Sequence, residues 1–188
     1  SVQMNAILIG SFFIIFTGMI DDINSLTAKQ QLIGQTIAAL VVIFYGGITL
    51  SHITAFGFDI QFGIFAYPIT LFFILGCINV IRLIDGLDGL SGGISSIFFL
   101  TIGVISILQN RVGTLEITLT FIMLGSTLGF LLHNFHPAKT FAGETGATFM
   151  GFIIAIISLL GFKGALLTSV LVPLLILAIP ILDTAFAI

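Results

Sequence analysis

Apolar runs of about the length that crosses a bilayer, each nearly empty of charge, follow one another along this 188-residue chain. A helix rises about 1.5 Å per residue, so roughly 20 residues cross a ~30 Å hydrocarbon core. Set against that length, the sequence predicts about seven transmembrane helices, over 3–20, 31–45, 68–83, 90–108, 115–132, 148–160 with its flanking residues, and 165–182. Segment 48–67 has a different texture. It is rich in Ile, Thr and Phe, broken by Gly57 and Gly63, and alternates loosely. That pattern predicts a short hairpin or re-entrant piece at the membrane surface. The expected fold is an all-α polytopic membrane protein in which 1–188 form a single transmembrane domain.

Composition removes the alternatives. Hydrophobic residues make up 58% of the chain and charged residues 7%, against about 25% charged in an ordinary soluble domain. Too few polar side chains exist to cover a surface facing water, so lipid must be the main solvent. With five Lys and Arg and a net charge of −3, a basic nucleic-acid-binding surface is excluded as well. Cys77 stands alone inside an apolar run and has no internal disulfide partner. No signal peptide is visible. Ser1 in place of an initiator Met, and an end at Ile188 directly after an apolar span, give the expectation of a piece cut from a longer chain.

The polar residues obey a parity rule. Asp21, Asp22 and Lys29 follow the first span; Asn79, Arg82, Asp85 and Asp88 end the third; Asn134, His136, Lys139 and Glu144 follow the fifth; Asp183 follows the seventh. All come after odd-numbered spans, so all four clusters open on one side of the membrane. The other side receives Gly, Thr and Ser with the isolated Arg111, Glu116 and Lys163. Lys29, Arg82 and Lys139 against Arg111 and Lys163 lean the clusters toward the cytoplasm.

A charge deep in a bilayer costs roughly 2.5–3.5 kcal/mol even on a lenient scale. Such a set is tolerated at a wet membrane edge or around an ion. In Asp85-Gly86-Leu87-Asp88-Gly89 the two acids, three apart, are expected on neighbouring positions of a helical surface. There they repel unless a proton or cation intervenes. Asp21 and Asp22 are adjacent, so their side chains point apart. The run from Asn134 to Lys139 and then Gly143-Glu144-Thr145-Gly146 has the look of a phosphate loop, its last turn opening a helix whose N-terminus favours an anion. His133 and His136, three apart, can share a face, but two histidines without a third ligand are a poor zinc case. Hard oxygen donors favour Mg²⁺ or Mn²⁺. Together these features point to phosphoryl transfer between a water-soluble donor and a lipid acceptor.

On these motifs the chain resembles the bacterial polyprenyl-phosphate N-acetylhexosamine-1-phosphate transferases. The resemblance rests on Gly18-Met19-Ile20-Asp21-Asp22 with Leu26, Lys29 and Gln35, and on Asn79 with Leu83 to Leu90. It continues through Gly129-Phe130-Leu131, Asn134-Phe135, Pro137-Ala138-Lys139, Phe141, Gly143, Thr145-Gly146 and Pro180 to Thr184. Members have about ten or eleven spans, which implies an internal piece here. The resemblance implies a Mg²⁺-dependent (or Mn²⁺-dependent) enzyme of the bacterial plasma membrane with a cytoplasmic active site. It would pass GlcNAc-1-phosphate from UDP-GlcNAc to undecaprenyl phosphate, giving undecaprenyl-diphospho-GlcNAc and UMP, for cell-wall or surface polysaccharide synthesis. It implies catalytic roles for Asp21, Asp22, Asp85 and Asp88, and substrate binding by Lys29, Asn79, Arg82, Asn134 and Lys139. It implies metal binding by Glu144, Asp85 and Asp88. A homodimer is left open.

Three positions depart from that family's pattern. Gln31 stands where Lys or Arg is usual, Arg82 where a second Asn is common, and Glu144 where the metal-binding residue is usually Asp. Two other readings stand beside the transferase. One is a CDP-alcohol-type lipid phosphotransferase, disfavoured because its acids come as one compact run. The other is a non-catalytic protein, either a transporter or a degenerate homologue. A transporter should carry ionisable groups near the bilayer midplane, whereas these sit at span ends.

Overall fold

The computed structural model describes residues 1–55, 58–110 and 113–162. The expected seventh span and Asp183 lie outside the described residues. Six helices carry the fold: α1 (Val2–Ile23), α2 (Ala28–Leu40), α3 (Ala66–Ile84), α4 (Leu90–Leu108), α5 (Leu115–Asn134) and α6 (Gly143–Phe162). Between α2 and α3 two short strands, β1 (His52–Ala55) and β2 (Phe58–Gln61), pair antiparallel with His52 opposite Gln61. Five of the helical segments are long and apolar enough to cross a membrane. The sixth, α2, has 13 residues and continues as a five-residue π-helical stretch over Val41–Tyr45. The protein is thus a multi-pass membrane bundle with one small hairpin.

The helices arise where the apolar pattern puts them, and each shows one face inward. On α1 the buried residues Ala6, Ile7, Gly10, Ser11, Ile14 and Gly18 recur at three- and four-residue steps, while Leu8, Phe12 and Phe16 are exposed. The first set meets protein and the second lies where acyl chains would be. Helix α2 starts on a capping box, in which the Thr27 backbone N–H donates to Gln30 Oε1 at 2.9 Å. The chain leaving it is tied to α3 by Leu50 N–H donating to Thr70 Oγ1 at 2.9 Å.

Helix α6 is the centre. Phe152, Ile153, Ile154, Ala155, Ile156 and Ile157 are all buried, so it has no lipid face along that stretch. It packs chiefly on α1 and α3, and glycine permits both approaches. A Cβ on Gly18 would lie 2.5 Å from Thr145 Cα, and one on Gly151 would lie 2.7 Å from Ile78 Cα. In lipid, where burial of apolar surface does not drive helices together, such close backbone contact is a main source of association. Helices α4 and α5 form a second pair beside this trio.

The structure changes two local expectations. Asp21 and Asp22 belong to the last turn of α1 rather than to the loop after it. Asp85 and Asp88 do not share a helical surface. Helix α3 ends at Ile84, and Gly89 adopts φ +74, so residues 85–89 form a turn that aims the two acids at different partners.

Candidate functional site

The C-terminal ends of α1, α3 and α5 and the N-terminal ends of α4 and α6 gather at one end of the bundle, which brings three of the four sequence clusters together. Asp21 accepts from the Leu26 backbone N–H at 2.7 Å and from Gln31 Nε2, so it closes the turn from α1 into α2. Asp22 points the other way. It accepts from Glu144 N–H at 2.8 Å, from Thr145 N–H at 3.2 Å and from the Thr145 hydroxyl. The α6 N-terminus does hold an anion, but the anion is a carboxylate of the same chain, donated by α1.

On the Asp21 side lies a narrow cleft lined by Thr17, Asp21, Gln31, Gln35, Arg82 and Glu144, among others. Arg82, in the last turn of α3, places Nε against Glu144 Oε2 and donates from Nη1 to Gln31 Oε1. The three positions that depart from the family pattern therefore bond to one another. Among the described residues the carboxylate partner of Arg82 is Glu144. Asn79, one turn earlier on α3, donates to Gln35 Oε1 at 3.0 Å and to Leu75 O at 2.8 Å, bracing α3 against α2.

Asp85 caps the end of α3 and accepts a hydrogen bond from Ser91 in the first turn of α4. Burial pushes its carboxyl above the usual range, the Ser91 hydroxyl opposes the rise, and the nearby charge of Glu144 adds to it. Asp88 reaches instead to the α5–α6 loop. It takes a hydrogen bond from Ala138 N–H at 3.2 Å and faces His136 Nδ1 at 3.0 Å, and these contacts hold its carboxyl below the usual range. Asn134 is buried and links both loops, accepting from Gly89 N–H at 3.0 Å and donating to Thr140 O at 2.8 Å. His133 and His136 do not meet. Helix α5 stops at Asn134, leaving His133 over Gly129 O and sending His136 to Asp88. Lys29 and Lys139 are exposed at the edge of the assembly. Sequence reasoning passed over Ser91, whose only signal is a hydroxyl at the start of the helix after an acidic turn.

The arrangement can be weighed against the divalent ion that the resemblance implies. Among the described residues no three of His, Cys, Asp and Glu gather as a protein cage. Asp85 and Glu144 do come close enough for one charge to disfavour the other. Two hard carboxylates at one rim suit Mg²⁺, which keeps waters and is commonly held by one or two carboxylates plus substrate phosphates. Asp88 is turned toward His136 and Ala138 and is the less suited of the three expected ligands.

Comparison with known proteins agrees with this architecture. The chain is 42% identical over 188 residues to a "Probable undecaprenyl-phosphate N-acetylglucosaminyl 1-phosphate transferase" of Bacillus subtilis (strain 168), covering 99% of this chain and 52% of that protein. It is 38% identical over 149 residues to a phospho-N-acetylmuramoyl-pentapeptide-transferase of Halalkalibacterium halodurans, covering 76% of this chain and 44% of that one. With the corresponding protein of Enterococcus hirae it shares 34% over 137 residues, or 72% and 42%. The chain spans about half the length of the curated relatives it matches. Residues 4–162, nearly the whole described bundle, match the family model for glycosyl transferase family 4, and the chain belongs to that family.

Proposed function

We propose that the intact protein transfers GlcNAc-1-phosphate from UDP-GlcNAc to undecaprenyl phosphate at the cytoplasmic face of a bacterial plasma membrane. A phosphate oxygen of the lipid forms a bond to the β-phosphorus, the bond from that phosphorus to the bridging oxygen breaks, and UMP leaves with the electron pair. The products are undecaprenyl-diphospho-GlcNAc and UMP. The observation that carries this reading is the meeting of acid-bearing turns from α1, α3 and α6 at one end of a membrane bundle. A lipid phosphate held at its headgroup depth and a soluble nucleotide can both reach such a rim.

Within this reading Asp85 and Glu144 are the residues that would hold Mg²⁺ or Mn²⁺. When bound, the ion supplies charge neutralisation for the donor diphosphate. Asp21 lies in the cleft and is the acid best placed to orient the lipid phosphate. Asp22 keeps α6, and with it Glu144, in register. Lys29 and Lys139, exposed at the rim, offer cations to the approaching phosphates. Asn79 fixes α3 against α2, and Asn134 fixes the α5–α6 loop against the Asp88 turn.

The test is incubation of the purified intact protein, in lipid nanodiscs, with undecaprenyl phosphate, radiolabelled UDP-GlcNAc and Mg²⁺. Label should pass into the lipid fraction with equimolar release of UMP, and Asp85→Asn should abolish it. Absence of transfer with either Mg²⁺ or Mn²⁺, or a preference for a CDP-alcohol donor, overturns the assignment.

A further inference from the structure

Arg82 is the cation among the described residues that line the cleft, and it holds two partners at once, Glu144 Oε2 through Nε and Gln31 Oε1 through Nη1. Gln31 passes the link on, its Nε2 donating to Asp21 Oδ2. A primary amide has one donor end and one acceptor end. It can therefore face a cation on one side and an anion on the other with no proton changing place. Gln31 is only 8% exposed, so neither end has water to fall back on. Glu144 Oε2 is buried as well and makes no hydrogen bond other than its pairing with the guanidinium. One polar chain, Asp21–Gln31–Arg82–Glu144, thus crosses α1, α2, α3 and α6, with two negative charges set against one positive.

We infer that Gln31 and Arg82 are a positioning pair that shares a single positive charge between the Asp21 and Glu144 carboxylates, and that this charge can be supplied from either position. The side chain at 31 reaches both Asp21 and the guanidinium. An ammonium at 31 would sit against Asp21 on the way to Glu144, and an amide at 82 would give it room. A cation at both positions repels, and a cation at neither leaves Glu144 Oε2 buried without a counter-charge. Arg82 on this account acts through the two acids and not on the donor phosphates.

The kinetic half of the test rests on the transferase reading; the folding half does not. In the intact protein, Arg82→Asn, Gln31→Lys and the double variant Gln31→Lys/Arg82→Asn are compared with the parent by thermal unfolding and by kcat and KM for UDP-GlcNAc. Each single variant should lower both the unfolding midpoint and kcat. The double variant should recover at least about tenfold of the kcat lost in Arg82→Asn, within the coupling that neighbouring charged residues show. KM should stay within about threefold throughout. Arg82→Lys, which keeps the charge but not the two-pronged reach, should also lose kcat with KM unchanged. A double variant no better than the worse single one in both readouts overturns the pairing, as does a change confined to KM, which would make Arg82 a phosphate contact. Should the parent protein show no transfer at all, the transferase reading falls, while the unfolding comparison decides the pairing by itself.

Discussion

Removing the Asp22 carboxylate should loosen the start of α6 before it affects anything else. Three donors of that helix end on this one side chain: Glu144 N–H, Thr145 N–H and the Thr145 hydroxyl. Loss of a helix cap costs about 0.5–2 kcal/mol, and a hydrogen bond to a charged group contributes about 1.5–3 kcal/mol. The carboxylate is exposed, so water replaces part of what is lost, and Asp22→Ala should cost about 2 kcal/mol at this end. Asp22→Asn keeps an acceptor oxygen and loses mainly the favourable charge at the helix N-terminus, about 0.3–1 kcal/mol. At about 1.4 kcal/mol per factor of ten, the Ala variant should speed local opening by about 30-fold and the Asn variant by no more than about fivefold. Hydrogen exchange followed by mass spectrometry over peptides covering 141–150, in detergent or nanodiscs, reads this directly. Exchange unchanged in both variants, or equally fast in both, refutes the capping argument. Loss of transfer in Asp22→Asn with unchanged exchange moves Asp22 from anchoring into the chemistry.

Further outcomes follow from the same geometry. Gly18→Ala should lower the unfolding midpoint and the yield of folded protein, because its Cβ would lie 2.5 Å from Thr145 Cα and the α1–α6 contact must open; overpacking of this kind costs about 1–3 kcal/mol. Asp85 has a carboxyl raised by burial and by Glu144. The folded state therefore holds its proton longer than the unfolded chain, and the Asp85 contribution to stability falls as pH rises from the ordinary carboxylate value to the raised one. Asp85→Asn should then unfold at a higher temperature than the parent at pH 7, with the difference shrinking as pH falls toward the ordinary carboxylate range and gone below it, while transfer is lost. Asn134→Ala removes the buried amide that ties Gly89 to Thr140 and should cost about 1–3 kcal/mol in stability, with faster exchange in both 85–89 and 135–140.

Much of the architecture is legible in the amino-acid order because a bilayer imposes a simple rule on length and polarity. The apolar runs over 90–108 and 115–132 are α4 and α5 almost to the residue, and parity alone places Asp21, Asp85 and Glu144 at one end. What the order of residues does not reveal is pairing. Asp22 reads, on the resemblance, as a catalytic acid, yet its partners lie more than a hundred positions away in α6, and nothing local announces a cap supplied by another helix. Asp85 and Asp88 read as a helical pair because the spacing allows it; α3 ends at Ile84, and the turn that follows sends the two acids to different partners. Gln31, Arg82 and Glu144 look like three independent departures in sequence, and only the packing of α2, α3 and α6 makes them one network.

Turns distant in sequence share one aqueous rim. Cys77 is buried and can be replaced by Ala, after which Asp22→Cys and Asp88→Cys, both at exposed positions, can each be probed with a membrane-impermeant thiol reagent in sealed vesicles of known orientation. Both cysteines should react from the same, cytoplasmic compartment and be protected from the other. Reaction of the two from opposite compartments would contradict the account, since carboxylates divided by a bilayer cannot serve one phosphate.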